Sequence, residues 1–288
     1  MSKPTYNLRP LQDAALAIFK EFAQICELHG FRYYAMYGTA LGAIRHKGFI
    51  PWDDDLDVVM PRPDYNAFVK VVNEELTGTL NCLRGGESNL SSIYQSRIID
   101  THVGIIEEFS EKTNLALIYP PFIDVFTFDA LEDGPLSYKA IWGFRRRMRL
   151  VQMYRHPESM GCACASRQSK IKRWAARFLG MCMSPFYPKT LSNEAFMQLL
   201  DSECLRRQPY DTATRLAEIN FFRMKEDRVV RSDELEPARI VPFEDTTIRV
   251  PAKVEDILTR YYGDFMQYPE EASRVPAHQL RVMYREHI

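Results

Sequence analysis

The fold is decided by the stretch "GTALGAIRHKGFIPWDDDLDVVM", Gly38 to Met60, which places four acids within five residues ahead of an apolar run. In a β-strand, side chains two apart share a face, so Asp55 and Asp57 point one way while Leu56 between them enters the core. Carboxylates that close repel each other unless a cation neutralises them. The pair therefore predicts a site for a hard divalent ion, Mg²⁺ or in its place Mn²⁺.

A third acid fits the same logic. Asp124, in "PPFIDVFTF", lies in a segment that has the composition of a buried strand, where an ionised group needs a partner. If this strand lies beside Asp55 and Asp57, three carboxylates converge on one site for one or two metal ions that bridge phosphates. The alternative for the acidic run is a solvated turn. Within the predicted metal site, Asp54 is expected to point away and only to shape the turn.

A glycine and a threonine precede the acids, at the junction of a predicted strand and a predicted helix. Such a turn can present backbone N–H groups and a hydroxyl to a phosphate at the helix N-terminus, where the helix dipole favours negative charge. Gly38 and Thr39, followed by a paired-acid strand and by a third acid on a later strand, form the layout of the nucleotidyltransferase fold.

The rest of the chain alternates helices and strands. Apolar residues between Leu11 and His29 recur with helical spacing, and Gly30 is placed to end that helix. The C-terminal part predicts a hairpin and then a helix that Gly263 ends. Further predicted elements are helices at 40–46 and at 65–75, the latter capped by Asp64, and strands at 31–37, 55–60, 93–99, 103–107 and 122–128. This alternation predicts an α+β (α/β) fold, a mixed sheet flanked by helices.

Charge divides the chain into three predicted parts. Between Lys139 and Lys189, twelve Lys or Arg residues accompany one acid, Glu158, in a segment with a helical pattern. We therefore predict a nucleotidyltransferase-like catalytic core over residues 1–133 and a basic helical insertion over 134–210. A C-terminal part over 211–288 completes the catalytic domain.

Composition argues against several classes of protein. The chain has 288 residues, of which 46% are hydrophobic, enough for a sizeable core. It contains no apolar run of about 18 residues, the length that spans a membrane. Its six cysteines lack paired CxxC spacing, which argues against a zinc site and a disulfide framework. The N-terminus lacks an apolar signal core, so a cytoplasmic protein is expected.

The stretch "YGTALGAIRHKGFIPWDDDLDVVMPRPDY" closely resembles the signature of the LicD/fukutin family of phosphotransferases, which adopt a nucleotidyltransferase fold. The similarity continues in "SRIID", in "PFIDVFTFDAL" and in the C-terminal "VPFEDTTIRVPAKVEDILTRYYGDFMQYPEE". This resemblance implies a transferase that takes phosphocholine, or a related polyol phosphate, from a CDP-activated donor. The group would pass to a hydroxyl of a cell-envelope glycan, with release of CMP.

The resemblance also implies roles for four acids. Asp55 and Asp57 would hold Mg²⁺, and Asp124 would occupy the third-acid position. Asp53 matches a further acid of the family pattern, as an added ligand or as a base. We predict Asp53 as the base, with the metal itself as the alternative means of acidifying the hydroxyl.

Cationic and aromatic residues complete the predicted site. Arg45, His46 and Lys47 follow the Gly-Thr helix, and Arg97 lies in a strand at a family-matched position. We predict that they contact the donor phosphates, the two arginines first, because a guanidinium offers a bidentate fork. A surface or capping role is the alternative for His46. Trp52, beside the acids, is predicted to line the pocket, where an aromatic face would suit the quaternary ammonium of choline.

The basic segment, residues 139–189, contains "RQSKIKRWAARFLG", a predicted helix with Trp174 and Phe178 on one face. We predict peripheral contact with the anionic inner face of the cell membrane, where lipid-linked glycan acceptors would be built. The alternative is a core helix with a solvated basic side. Nucleic acid is not expected as a partner, because no RNA- or DNA-reading motif accompanies the charge.

Two other functions stay open at this point. A nucleotidyltransferase of the same fold would attach the nucleotide itself to a sugar or sugar phosphate and release pyrophosphate. A non-catalytic scaffold of envelope assembly would keep the fold and bind the membrane. The clustered acids argue against a scaffold, because it has no need of costly crowded charge.

Overall fold

A computed structural model describes residues 7–84, 95–102, 104–107, 118–131, 143, 147, 150–151, 154, 170–186, 209–218, 226–276 and 280–283. The α-helices with described bounds are α1 (Arg9–His29), α2 (Tyr37–His46), α3 (Arg62–Glu75), α4 (Lys170–Met183), α5 (Ser232–Leu235) and α6 (Val254–Tyr262). The first strands are β1 (Tyr34–Ala35), β2 (Asp57–Pro61), β3 (Leu80–Leu83), β4 (Ser96–Asp100), β5 (Gly104–Glu107) and β6 (Ile118–Tyr119). The later strands are β7 (Phe122–Leu131), β8 (Arg215–Ala217), β9 (Val230–Arg231), β10 (Arg239–Phe243), β11 (Thr246–Val250) and β12 (Leu280–Met283).

The predicted first helix is confirmed as α1, and it ends at Gly30 in the left-handed conformation (φ 69°). The predicted strand at 31–37 is reduced to β1, because Tyr37 already begins α2. Helix α2 therefore starts three residues earlier than predicted. Gly38 and Thr39 lie in its first turn rather than in a turn that precedes it.

The predicted cap of the third helix is wrong. Helix α3 begins at Arg62, and Asp64 lies inside its first turn. There the Asp64 carboxylate accepts hydrogen bonds from the backbone and side chain of Arg32, at 2.7 to 3.0 Å. A proline at the helix start, where no intrahelical N–H bond is lost, makes the earlier beginning favourable.

The central sheet has the strand order β1-β2-β7-β4-β3. Strands β1 and β2 are antiparallel, with Tyr34 opposite Val59. Strand β7 lies beside β2, so the predicted neighbourhood of the two acid-bearing segments is confirmed. The backbone shows it directly, since the Asp124 N–H donates to the Leu56 carbonyl at 2.9 Å.

Two smaller sheets and the last helix complete the described elements. Strands β12, β5 and β6 form a three-stranded antiparallel sheet. Strands β10 and β11 form the predicted C-terminal hairpin, and α6 follows it. Gly263 ends α6 with a positive φ of 73°, as the sequence predicts. The predicted mixture of helices and sheet, an α+β fold, is thus confirmed.

The chain divides into two compact units. The first comprises residues 1–82, 97–127 and 230–288, and the second comprises 83–96 and 128–229. The core of the first unit combines aromatic side chains of α1 and α3 with the buried faces of β2 and β7, among them Phe19, Phe22, Phe68, Val58 and Ile123. The predicted domain bounds at 133 and 210 stay predictions.

In the second unit the end of β7 pairs antiparallel with β8, with Asp129 opposite Ala217. Phe128, Leu131 and Leu216 are buried there. Helix α4 confirms the predicted helical character of part of the basic segment. No helix among the described residues combines the length and the apolar character that crossing a membrane requires.

Candidate active site

Asp53, Asp54 and Asp55 form what we call the acidic loop, just before β2. Each offers a carboxylate oxygen, and these three oxygens lie within 4.8 Å of one another. Asp54 is buried, with 4% of its surface exposed, and its two neighbours are half-buried. The expectation that Asp54 points away from the site is therefore wrong. The chain makes a turn just before the loop, where the Asp53 N–H donates to the Ile50 carbonyl at 2.9 Å. This turn brings the three carboxylates close to one another.

The crowding of charge has a clear electrostatic consequence at Asp53. Burial, together with the negative carboxylates of Asp55 and Asp54, raises the pKa of Asp53 to about 8. A divalent cation would remove this penalty, because it favours the ionised form of every acid around it. Three close carboxylates are also the hard oxygen ligands that Mg²⁺ prefers. The acidic loop thus fits a divalent cation both in its ligands and in its electrostatics.

A buried glutamine holds the acidic loop in place. Gln12, on α1, donates from Nε2 to the carbonyls of Ile50 at 3.2 Å and of Asp53 at 2.9 Å. The residue is 6% exposed, so both bonds form away from solvent, where a lost partner is costly. The sequence carries no signal for this contact, since a glutamine within an amphipathic helix is ordinary.

Gly38 lies directly against Asp53. A Cβ atom added at Gly38 would collide with the Asp53 carboxylate, so a side chain is excluded while the acid keeps its place. Gly38 is in the first turn of α2, where the helix dipole favours negative charge. The predicted phosphate-binding role of Gly38 stays a prediction, and the structure assigns it the close approach of Asp53 to this helix end.

Replacing Gly38 by alanine should therefore displace Asp53. We expect a loss of cation affinity of about tenfold or more, because positioning groups around metal ligands typically contribute that much. Isothermal titration with Mg²⁺ measures it. Gly143→Ala is the matched control, because a Cβ added at Gly143 would meet no atom within 4 Å. Gly78 is unsuitable as a control, since its positive φ strains any side chain. Equal Mg²⁺ affinity in Gly38→Ala and the wild type would contradict the assignment.

Thr39 and Asp57 are tied to each other. The Asp57 N–H donates to Thr39 Oγ1 at 2.7 Å, and Thr39 is buried. The bond fixes the start of β2 against α2. Asp55 precedes the strand instead of lying in it, yet burial still alternates from Asp55 to Val58, as the sequence predicts.

Asp124 and Arg97, predicted separately as a metal ligand and a phosphate contact, form an ion pair. Arg97 donates from Nε at 2.6 Å and from Nη2 at 3.3 Å to the two carboxylate oxygens. The guanidinium carbon also lies 3.8 Å from the centre of the Phe122 ring. Among the described residues, the group of three close carboxylates is the acidic loop, and neither Asp124 nor Asp57 is part of it. Their metal-binding roles stay predictions.

Three other predicted residues meet in a second cluster that contains residues the sequence does not single out. Arg45 donates from Nη1 to the carbonyls of Phe265 at 2.7 Å and Gln267 at 3.2 Å. Its Nε contacts His46 Nε2 at 3.0 Å. We call His46, Trp52 and Tyr268 the aromatic cluster, because their ring centres lie 5.3 to 6.2 Å apart. The guanidinium of Arg274 lies over two of these rings.

Lys47 is the C-cap residue of α2. Its backbone is left-handed (φ 58°), and its carbonyl accepts the Glu244 N–H at 2.8 Å. The Glu244 carboxylate in turn accepts the Phe49 N–H at 3.0 Å and an Arg9 donor at 2.7 Å. The C-terminal hairpin therefore holds the segment that leads into the acidic loop. The predicted phosphate contact of the exposed Lys47 side chain stays a prediction.

The chain is similar to a known protein family and to one of its members. Residues 30–142 match the family model described as LicD/FKTN/FKRP, nucleotidyltransferase domain. Over 277 residues, the chain is 26% identical to the lipopolysaccharide cholinephosphotransferase LicD of Haemophilus influenzae, covering 94% of this chain and 96% of the relative.

Two shorter similarities involve uncharacterized proteins of Rickettsia. One, from Rickettsia typhi, is 34% identical over 55 residues, which is 19% of this chain and 18% of the relative. The other, from Rickettsia prowazekii, is 38% identical over 47 residues, which is 16% and 18% of the two chains. The predicted resemblance is thereby confirmed: residues 30–142 match the LicD/FKTN/FKRP nucleotidyltransferase-domain model, and the chain is similar over almost its full length to a LicD cholinephosphotransferase.

Proposed function

We propose that the chain transfers phosphocholine, or a related polyol phosphate, from a CDP-activated donor to a hydroxyl of a cell-envelope glycan, in a reaction that depends on Mg²⁺. The acidic loop carries this proposal, because three crowded carboxylates inside a LicD-type domain suit a cation that binds a donor pyrophosphate. The relative from Haemophilus influenzae, which is similar over almost its full length, acts on lipopolysaccharide as a cholinephosphotransferase. Lipopolysaccharide supports a glycan as the acceptor.

Asp53, Asp54 and Asp55 are the proposed cation ligands, with Asp57 and Asp124 as neighbours to test. When bound, Mg²⁺ would neutralise the donor pyrophosphate and stabilise the departing CMP. The Asp53 carboxylate has to be ionised to serve as a ligand, which its raised pKa opposes in the metal-free protein. Cation binding is therefore coupled to release of a proton.

The transfer itself exchanges one phosphorus–oxygen bond for another. The acceptor hydroxyl oxygen bonds to the distal phosphorus, the bond from that phosphorus to the bridging oxygen breaks, and the bridging oxygen leaves with CMP. The hydroxyl proton passes to solvent, because Asp53, the base that the sequence predicts, is here a proposed cation ligand, and a bound metal would acidify the hydroxyl, which is the alternative given for that step. Arg97, oriented by Asp124 and by the Phe122 ring, keeps further N–H donors that can bind phosphate oxygens.

A panel of CDP-linked donors tests this function. Purified protein would be incubated with CDP-choline, CDP-glycerol or CDP-ribitol and Mg²⁺, with lipopolysaccharide as the acceptor. We expect CMP to form fastest with one donor and to stop when EDTA removes the metal. Failure of every donor to release CMP in the presence of Mg²⁺ and acceptor would contradict the proposal.

We also propose that the chain meets its acceptor at an anionic membrane surface. Helix α4 exposes Trp174, Phe178, Leu179 and Met181, with 68% of Trp174 exposed and its ring stacked on that of Phe178 at 5.6 Å. The same helix contains Lys170, Lys172, Arg173 and Arg177 in its sequence. An exposed apolar face on a basic helix is typical of a segment that lies in a lipid interface.

Liposome flotation measures this membrane contact. We expect recovery with anionic vesicles to exceed that with neutral vesicles, because each basic residue near an anionic surface contributes about 1 kcal/mol. Arg173→Glu with Arg177→Glu should remove most of the recovery, and Trp174→Ala with Phe178→Ala should lower it. Leu28→Ala is the control, since Leu28 is 71% exposed on α1. Equal recovery with both kinds of vesicle would contradict this role.

A further inference from the structure

We propose that the aromatic cluster of Trp52, Tyr268 and His46 binds the quaternary ammonium group of the donor, and that the Arg274 guanidinium caps this site until the ligand displaces it. This inference rests on the proposed function, because it names the head group that the same site accepts. It assigns new roles to two residues of the C-terminal segment, Tyr268 and Arg274. It also commits the donor to choline over glycerol or ribitol.

The geometry of the rings supports a site for a rounded cation. The His46 ring lies nearly perpendicular to Trp52, at 88° and 6.1 Å, and nearly perpendicular to Tyr268, at 86° and 5.3 Å. Trp52 and Tyr268 are inclined to each other at 57° and 6.2 Å. His46 thus packs edge-to-face with both other rings, while Trp52 and Tyr268 share one cation between them, the Arg274 guanidinium. Trimethylammonium groups bind to such sets of inclined aromatic faces.

Arg274 shows that these faces accept positive charge. Its guanidinium carbon lies 5.5 Å from the centre of the Trp52 ring and 5.3 Å from that of the Tyr268 ring. The Arg274 Nε donates to the Pro269 carbonyl at 2.9 Å, so the residue is anchored to its own short segment. Arg274 is exposed, and it directly follows a short 3₁₀ turn, Glu271–Ser273. A cation held this way at the surface is a suitable group for exchange with a ligand cation.

The charges around the cluster permit a second cation to enter. Arg45 also lies over Tyr268, at 4.9 Å, but carbonyl oxygens of Phe265 and Gln267 accept its donors and hold it in place. Arg45 therefore acts as a positioning residue for Tyr268. Burial and the Arg45 guanidinium lower the pKa of His46, so its ring is neutral at pH 7. Once Arg274 moves aside, an ammonium group meets three neutral rings, and the cation that remains beside Tyr268 is Arg45, whose charge the two carbonyl oxygens partly offset.

The position of the cluster suits one end of a CDP-linked donor. Trp52 immediately precedes Asp53 and lies in the turn that Gln12 fixes through the Ile50 and Asp53 carbonyls. A donor pyrophosphate at the acidic loop would therefore lie beside the turn that carries Trp52. In phosphocholine, two carbons separate the phosphate oxygen from the nitrogen, a short link that suits adjacent sites.

Ligand-observed NMR with choline chloride tests the inference without nucleotide, metal or turnover. Saturation of aromatic protein protons should transfer to the N-methyl protons of choline, and a titration gives the Kd. Ethanolamine is the matched probe, because it has the same length and lacks the three methyl groups. We expect weaker binding of ethanolamine, since its ammonium is more strongly hydrated. Equal affinity for the two amines would overturn the proposal.

Single substitutions then test the role of each residue in choline binding. Tyr268→Ala and Trp52→Ala should each weaken choline binding about five- to tenfold, which matches the loss of one desolvated ring face. Tyr268→Phe keeps the face and should retain the affinity. Arg274→Ala should tighten binding, because no internal cation has to leave, and Arg274→Lys should not. Weaker choline binding in Arg274→Ala would overturn the capping role, and full binding in Tyr268→Ala would overturn the site.

These outcomes separate the inference from the proposed function. Choline binding by the wild-type protein, together with no CMP release from any donor in the presence of Mg²⁺ and acceptor, would leave the head-group site intact and refute the transfer. CMP release from CDP-glycerol without any choline binding would support the transfer and refute the head-group site. If CMP alone shifts the Tyr268 ring signals and excludes choline, the rings bind the nucleotide base, which overturns this inference.

Discussion

Replacing Asp55 by asparagine is expected to slow CMP release by roughly a hundredfold or more, because a neutral amide is a much weaker ligand for a hard cation than a carboxylate. Asp54→Asn is expected to have an effect of the same size, since the structure buries Asp54 in the same loop. The rate would be measured with CDP-choline and saturating acceptor. Circular dichroism would confirm that both variants fold.

The matched control for these substitutions is Asp245→Asn. Asp245 is also a carboxylate, but it lies at an exposed position and pairs with Lys20 at 2.7 Å. It should retain the wild-type rate. Wild-type activity in Asp54→Asn together with a large loss in Asp57→Asn would return the metal site to the pair that the sequence predicts, and would refute the acidic loop.

Replacing Asp53 by asparagine should stabilise the metal-free protein at pH 8. The pKa of Asp53 is raised from its ordinary value to about 8, so the folded protein retains a proton that the unfolded chain has lost. The free energy of unfolding therefore falls as the pH rises from about 4 to about 8, and this loss is complete above pH 8. The amide of Asp53→Asn does not ionise, so the loss disappears in the variant, and we expect its melting temperature at pH 8 to be about 5 °C higher or more.

Adding Mg²⁺ should reverse the order of the two proteins. The cation binds the ionised wild-type loop and raises its melting temperature, with a larger effect at pH 8 than at pH 6, because fewer protons then compete. Asp53→Asn should gain little. Differential scanning fluorimetry at both pH values, with and without Mg²⁺, gives all four comparisons. Without metal, the melting temperature of the wild type should fall relative to that of the variant between pH 6 and pH 8. A relative rise over this range would contradict the raised pKa of Asp53.

The sequence predicts best what depends on neighbouring residues. Apolar spacing was sufficient for α1 and its glycine end. The alternation of acids and apolar residues was sufficient to predict which side chains of 55–58 enter the core. These features depend on local periodicity, which is visible in a single segment. The sequence also indicated which two strands carry the acids, and β2 and β7 are indeed neighbours in the sheet.

Contacts between distant segments could not be predicted. Asp54 enters the site because the turn before it is held by Gln12, which is 41 residues away from the Asp53 carbonyl that it binds. Asp124 finds its compensation in Arg97, where the sequence suggested a metal ion and gave no reason to prefer an internal partner. Tyr268 reaches the end of α2 through carbonyls that bind Arg45 across 220 residues. Each depends on how the chain folds back, and a linear pattern does not encode that.

In the proposed reaction, the acidic loop binds a metal that directs attack on the distal phosphorus of a CDP-linked donor. ³¹P NMR of the reaction with CDP-choline, lipopolysaccharide and Mg²⁺ tests this claim most directly. We expect the two pyrophosphate signals of the donor to be replaced by those of one phosphomonoester, CMP, and one phosphodiester on the glycan. Conversion that instead releases inorganic pyrophosphate from CTP and leaves the nucleotide on a sugar, or that proceeds unchanged in EDTA, would contradict it.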